Sequence, residues 1–178
     1  MMNINYLLGE NILSIKNLQA GFHPIRHDRL LQEQVHDAYK SKGKLPEPSV
    51  CPHCKAVFHQ GRWQWLKTPV GAHPETCPAC HRIHDHYPAG YITLKGDFLQ
   101  SHREEIMNLV HNEEKRERTD HPLKRIMDVE EKGDEVLVTT TDIHLARSIG
   151  DALHHAYQGK LDYHYNAEQN LLRVEWVH

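Results

Sequence analysis

The chain has 178 residues, of which 39% are hydrophobic and 25% charged, with a formal net charge of -3. This length suffices for one ordinary domain or two small ones, each with a limited core. No stretch approaches the roughly 20 apolar residues of a membrane span and no secretion signal opens the chain, so a cytoplasmic protein with no membrane partner is expected.

Charge is divided unevenly along the chain. Residues 16–95 hold 11 Lys and Arg against 6 Asp and Glu, a balance of +5, whereas residues 96–178 hold 10 against 17, a balance of -7. The front half therefore suits an anionic partner and the back half does not. Seventeen histidines, with a reference pKa of roughly 6.5, make the front more positive as pH falls.

Residues 1–20 show no clean periodicity and read as a flexible tail. Residues 22–44 are basic, with a short helical pattern at Leu31, Val35 and Ala38, and end in a lysine-rich run before Pro46 and Pro48. They read as an arm that continues into a metal-binding ribbon, the two together covering residues 21–95. Residues 50–95 are poor in aliphatic side chains, so burial alone does not hold them together. A linking amphipathic helix is predicted over residues 96–120, with Phe98, His102, Ile106, Leu109 and Val110 on one stripe.

Residues 121–178 alternate between strand and helix periods. Strands are predicted at residues 125–130 and 135–140, joined across Lys132, Gly133 and Asp134. A helix follows from Thr141 or Asp142, capped by one of those side chains. Leu145, Ile149, Ala152, Leu153 and Ala156 form its apolar stripe, and Gly159 ends it. Two more strands carry Leu161, Tyr163 and Tyr165, then Leu172, Val174 and Trp176, on alternating positions. The fold class is thus α+β: a small four-cysteine zinc ribbon, a helix, and a ββαββ unit with one helix on a four-stranded sheet.

All four cysteines fall in two Cys-x-x-Cys pairs, Cys51/Cys54 and Cys77/Cys80, separated by 22 residues. Such a pair reverses the chain tightly, so both sulfurs reach one ion at roughly 2.3 Å, and two pairs complete a tetrahedron. In a reducing compartment the pairs serve a metal rather than disulfides. A redox pair is the rival for either motif alone, and two matched pairs that use every cysteine argue against it. Zn2+ is the expected ion, with iron in a rubredoxin-like site as the alternative. Four thiolates leave no open coordination position, so the ion folds the module and does not catalyse. Residues 57–59 and 62–65 flank Gln60-Gly61 as the hairpin of the ribbon. His53, His81, His84 and His86 lie beside the pairs and read as polar surface or as support for the ligands.

The cysteine module followed by residues 139–153 (TTTDIHLARSIGDAL) and 157–161 (YQGKL) resembles the amino-terminal region of the large-subunit nuclear export adaptor and its archaeal homologues. The chain also resembles a group of short bacterial proteins of the same layout, marked by residues 62–65 (RWQW) and 121–127 (HPLKRIM), over nearly everything from Phe22 onward. The resemblance implies a zinc-dependent adaptor that docks on the large ribosomal subunit. In a bacterium export has no meaning, and attachment to the ribosome or RNA is what carries over.

Arg26, Arg29, Lys40, Lys42, Lys44, Arg62, Lys67 and Arg82 supply cations around Trp63 and Trp65. Phosphate attraction with base stacking is the chemistry of such a mixture. The alternative is that both tryptophans pack the ribbon core and the lysines are merely solvated. A second functional reading is a protein–protein adaptor acting through the acidic α+β unit. An uncharacterised enzyme is a third. The chain has no Gly-x-x-x-x-Gly-Lys-Ser/Thr loop, no Gly-x-Ser-x-Gly elbow and no His-Glu-x-x-His, so no nucleotide partner and no catalytic residue are expected. His144, His154 and His155 read as helix surface.

Overall fold

The computed structural model describes residues 21–26, 39 and 43–178. The tail at residues 1–20, the helical pattern at Leu31, Val35 and Ala38, and the cations Arg29, Lys40 and Lys42 lie outside them.

The last two hairpins form as the alternation predicts. Strands β7 (Ile126–Lys132) and β8 (Glu135–Thr140) pair antiparallel across Gly133, whose φ of 62° suits a residue without a Cβ. The helix that follows, Ile143–Tyr157, starts at Asp142, whose carboxylate accepts from the Leu145 amide at 2.9 Å. It stops where Gln158 and Gly159 both take positive φ. Strands β9 (Lys160–Asn166) and β10 (Leu171–Val177) then pair antiparallel.

These four strands are not adjacent as two bare hairpins. β6 (Gly90–Lys95) runs between them, parallel to β10 and antiparallel to β8, and β1 (Phe22–Ile25) adds to β9 at the outer edge. The resulting sheet has six strands in the order β1-β9-β10-β6-β8-β7. Both added strands come from the segment read from sequence as arm and ribbon. β6 belongs in the middle because Ile92 and Leu94, on alternate positions, are fully buried, and its two backbone edges satisfy β10 and β8 at once.

One face of the sheet is apolar and covered by helices. Among the described residues the helices in chain order are α1 (Pro78–His84), which belongs to the ribbon, then α2 (Asp97–Ser101), α3 (Arg103–Asp120) and α4 (Ile143–Tyr157), which pack on the sheet. Leu145, Ile149 and Leu153 of α4 and Ile106 and Val110 of α3 bury themselves in a core with Val136, Val138, Leu172, Val174 and Trp176. Each such side chain stabilises the fold by about 1.5–3 kcal/mol. The Trp176 indole is satisfied, donating to the Gln158 carbonyl at 2.8 Å. The predicted linking helix is broken at His102 and packs against α4 rather than spanning solvent. Among the described residues no helix is long and apolar enough to cross a membrane.

A second, four-stranded sheet has the order β4-β3-β2-β5, made of β2 (Ser49–Val50), β3 (Val57–His59), β4 (Arg62–Gln64) and β5 (His73–Pro74). Its core is small: Cys51, Ala56, Trp63, Cys77 and Ala79, with Leu45, Phe58 and Leu123 packed against it. Leu123 comes from the approach to β7, so the ribbon core takes an apolar side chain from the α+β unit.

Candidate metal centre

Local geometry brings each cysteine pair to a tight reversal. In the first, the Lys55 amide donates to the Cys51 carbonyl at 2.9 Å, and the Cys51 amide donates to the Ala56 carbonyl at 2.8 Å. Closing that knuckle puts Lys55 at φ 67°, a left-handed conformation that side chains disfavour. In the second, Cys77 stands at the start of α1 in an extended conformation, Pro78 takes the first helical position, and the His81 amide donates back to the Cys77 carbonyl at 3.1 Å.

Sheet pairing then joins the two knuckles. β2 and β5 run parallel with Val50 opposite Pro74, and the Glu75 amide donates to the Val50 carbonyl at 3.0 Å, so the chain enters both pairs side by side. β3 and β4 close through Gln60 and Gly61, at φ 51° and 76°, as the sequence predicts for this hairpin. The Glu47 carboxylate accepts from both turn amides, at 2.7 and 3.2 Å.

The four Sγ atoms of Cys51, Cys54, Cys77 and Cys80 lie within 4.8 Å of one another. The Cys54–Cys77 separation is 3.7 Å, and a tetrahedron with metal–sulfur bonds of roughly 2.3 Å has edges of roughly 3.8 Å. Cys51 and Cys77 are fully buried, and Cys54 and Cys80 are half-buried. The Cys77 amide also donates to Cys51 Sγ at 3.4 Å. The cluster is therefore shaped to hold a metal ion, and its all-sulfur donor set fits zinc or iron. Among the described residues no histidine joins it; His53, His81, His84 and His86 are all exposed.

The thiols are electrostatically unequal. The hydrogen bond between Cys54 and Cys77 Sγ, with help from Arg125 and against the opposing effect of burial, holds the Cys54 thiol well below its ordinary value. The same bond, together with burial, pushes Cys77 up. Burial also raises Cys80, partly offset by Arg125. Arg125 is the one member of the site that spacing rules did not reveal. It stands in the 121–127 stretch that marks the bacterial resemblance, 45 positions after Cys80, and its guanidinium reaches Cys80 Sγ at 3.3 Å and Cys77 Sγ at 3.8 Å.

Of the candidate nucleic-acid residues that the structure describes, two are buried. Trp63 is 9% exposed and packs its ring 5.5 Å from Phe58, so it is a core residue of the ribbon and offers no stacking face. Arg82 is 2% exposed, stacked over Tyr39 at 4.7 Å and donating to the Tyr87 carbonyl at 3.0 Å. Its charge is committed inside the fold, and both residues are withdrawn from the proposed surface. Trp65 is 38% exposed, with its indole N–H on the Arg118 carbonyl at 2.7 Å and the Arg118 guanidinium 5.8 Å from its ring. It ties the ribbon to α3 while part of it faces solvent. Lys44, Arg62 and Lys67 are exposed on the ribbon or its approach, and Arg26 is exposed after β1.

Comparison with protein-family models, with curated proteins and with solved structures finds no match for this chain.

Proposed function

We propose that the protein is a non-enzymatic zinc-binding adaptor. The observation that carries this reading is the closed set of four thiolates, with no fifth protein donor among the described residues. Such a centre organises a fold and leaves no coordination site for substrate or water. Zinc is favoured over iron because nothing in the reading requires electron transfer and a structural role suits an ion without redox chemistry.

Within this reading the partner is RNA, free or in the ribosome, met by the ribbon. Charge supports it in a particular way. Two of the ribbon acids are engaged within the fold, Glu47 with the Gln60 and Gly61 amides and Asp85 with Tyr39 at 3.0 Å. Lys44, Arg62 and Lys67 instead project from exposed positions. Co-sedimentation with ribosomes and binding to RNA, each measured across a salt series with nuclease controls, tests this. Affinity should fall steeply with salt, and charge reversal at Lys44, Arg62 and Lys67 should abolish it. Retention in high salt after nuclease would instead favour a protein partner. For that second reading, a groove of about 1210 Å³ between α3 and α4, lined by Glu105, Glu113 and Asp151 among others, offers the acidic unit a place to bind.

A further inference from the structure

Arg125 is 5% exposed, yet in the described residues no carboxylate pairs with it. A buried cation without a counter-charge is strongly disfavoured, so something else must neutralise it. What surrounds it is sulfur: Nη1 donates to Cys80 at 3.3 Å and Nη2 to Cys77 at 3.8 Å, while Nε is occupied by the Pro122 carbonyl at 2.8 Å. A divalent ion held by four thiolates leaves a doubly negative centre, and the guanidinium offsets half of that charge. Each side thus supplies what the other lacks.

The arginine is also fixed from behind. Its amide donates to Thr141 Oγ1 at 3.0 Å, and its carbonyl accepts from the Thr141 amide at 2.9 Å. The Thr141 hydroxyl in turn donates to the Leu123 carbonyl at 2.6 Å. Thr141 immediately precedes Asp142, the residue that caps α4. The cation is therefore built into the junction of β7, β8 and α4, and the thiolates come to it from the ribbon.

Resting on the reading of the four cysteines as a metal centre, we infer that Arg125 is its positioning residue: the α+β unit supplies the cation that sets how tightly the ion is held and links the ion to the seating of the ribbon. Partners of metal ligands commonly change affinity by about 10- to 100-fold when removed. The hydrogen bonds also draw electron density from sulfur, which is a property of the bonds and not of folding in general.

The test uses the full chain and its Arg125→Gln, Arg125→Lys and Leu123→Ala variants. Zn2+ affinity is measured by competition with a chromophoric chelator, and Co2+ serves as a spectroscopic probe. Arg125→Gln should bind Zn2+ about 10- to 100-fold more weakly and move the sulfur-to-cobalt charge-transfer band to lower energy. Arg125→Lys should recover part of the affinity, because it keeps the charge and loses the two-pronged geometry. Leu123→Ala removes apolar packing that the α+β unit gives to the ribbon core, leaves the charge and the Leu123 carbonyl in place, and should leave the band where it is. Unchanged affinity and band in Arg125→Gln would overturn the inference, as would an equal shift in Leu123→Ala. If the unaltered chain takes up neither ion stoichiometrically, the metal centre itself falls, which is a different failure.

Discussion

Removing the metal should unfold the ribbon and leave the six-stranded sheet standing. The ribbon has few buried apolar side chains of any size; Val57 and Trp63 are the largest, each worth about 1.5–3 kcal/mol, with Ala56 and Ala79 adding less. A structural Zn2+ site contributes about 10–16 kcal/mol at neutral pH, at least about twice that sum. The main core, sheet and helix α4 together, holds Ile92, Leu94, Ile149, Leu153, Leu172 and Trp176, all fully buried and in a cluster separate from the cysteines. The three tryptophans report separately on these parts: Trp63 sits inside the ribbon, Trp65 sits where it meets α3, and Trp176 is fully buried in the main core. After chelation under reducing conditions, Trp63 should become accessible to acrylamide and Trp65 more so, with red-shifted emission, while Trp176 stays shielded and far-UV circular dichroism changes little. Emission and quenching that stay as before, with the ion demonstrably gone, would refute the argument that sulfur–metal bonds hold the ribbon.

Three further outcomes follow from particular residues. Gly150→Ala gains about 1 kcal/mol of helix propensity, but the new Cβ would stand 2.7 Å from Val174 Cγ1 and 3.1 Å from the Tyr163 hydroxyl. Overpacking costs about 1–3 kcal/mol, so thermal unfolding should show a net loss of up to about 2 kcal/mol with Zn2+ affinity unchanged. Lys55→Gly should stabilise the ribbon by about 0.5–1 kcal/mol, since relief of the left-handed strain exceeds the entropic cost of glycine; a higher chelator concentration for half-removal of the metal checks it. Burial and the hydrogen bond to Asp151 raise the Tyr163 pKa above its ordinary value. Folding then favours the protonated phenol, so its contribution is full below about pH 10 and lost as pH climbs past it. Tyr163→Phe should flatten that alkaline decline in denaturant titrations while costing about 1 kcal/mol at neutral pH.

Much of this was legible in the residues, for reasons of period and spacing. The alternation of Val136 with Val138 and of Leu172, Val174 and Trp176 marks the buried face of β8 and β10, and all five are buried. Asp142 caps α4 because a carboxylate stands where the first free amides point. The cysteine spacing brings the four sulfurs together as expected. What remained hidden is long-range. Gly90–Lys95 alternates well enough, but nothing local says that a strand following a ribbon should pair with β10, which comes about eighty residues later. Trp63 and Arg82 look like surface chemistry in a sequence because tryptophan and arginine serve both stacking and packing, and only burial decides between them. Arg125 was unreadable because no sequence interval links a guanidinium on one unit to thiolates on another.

The position of β6 governs how this chain can be divided. It leaves the ribbon at Ala89, enters the middle of the six-stranded sheet, and separates the two late hairpins from each other. A cut placed after Lys95, where the charge balance changes sign, would therefore remove the central plank of the sheet and leave two hairpin fragments with no shared seam. An excision meant to retain an intact α+β body has to begin upstream of Gly90, and still lacks the thiolates that Arg125 faces.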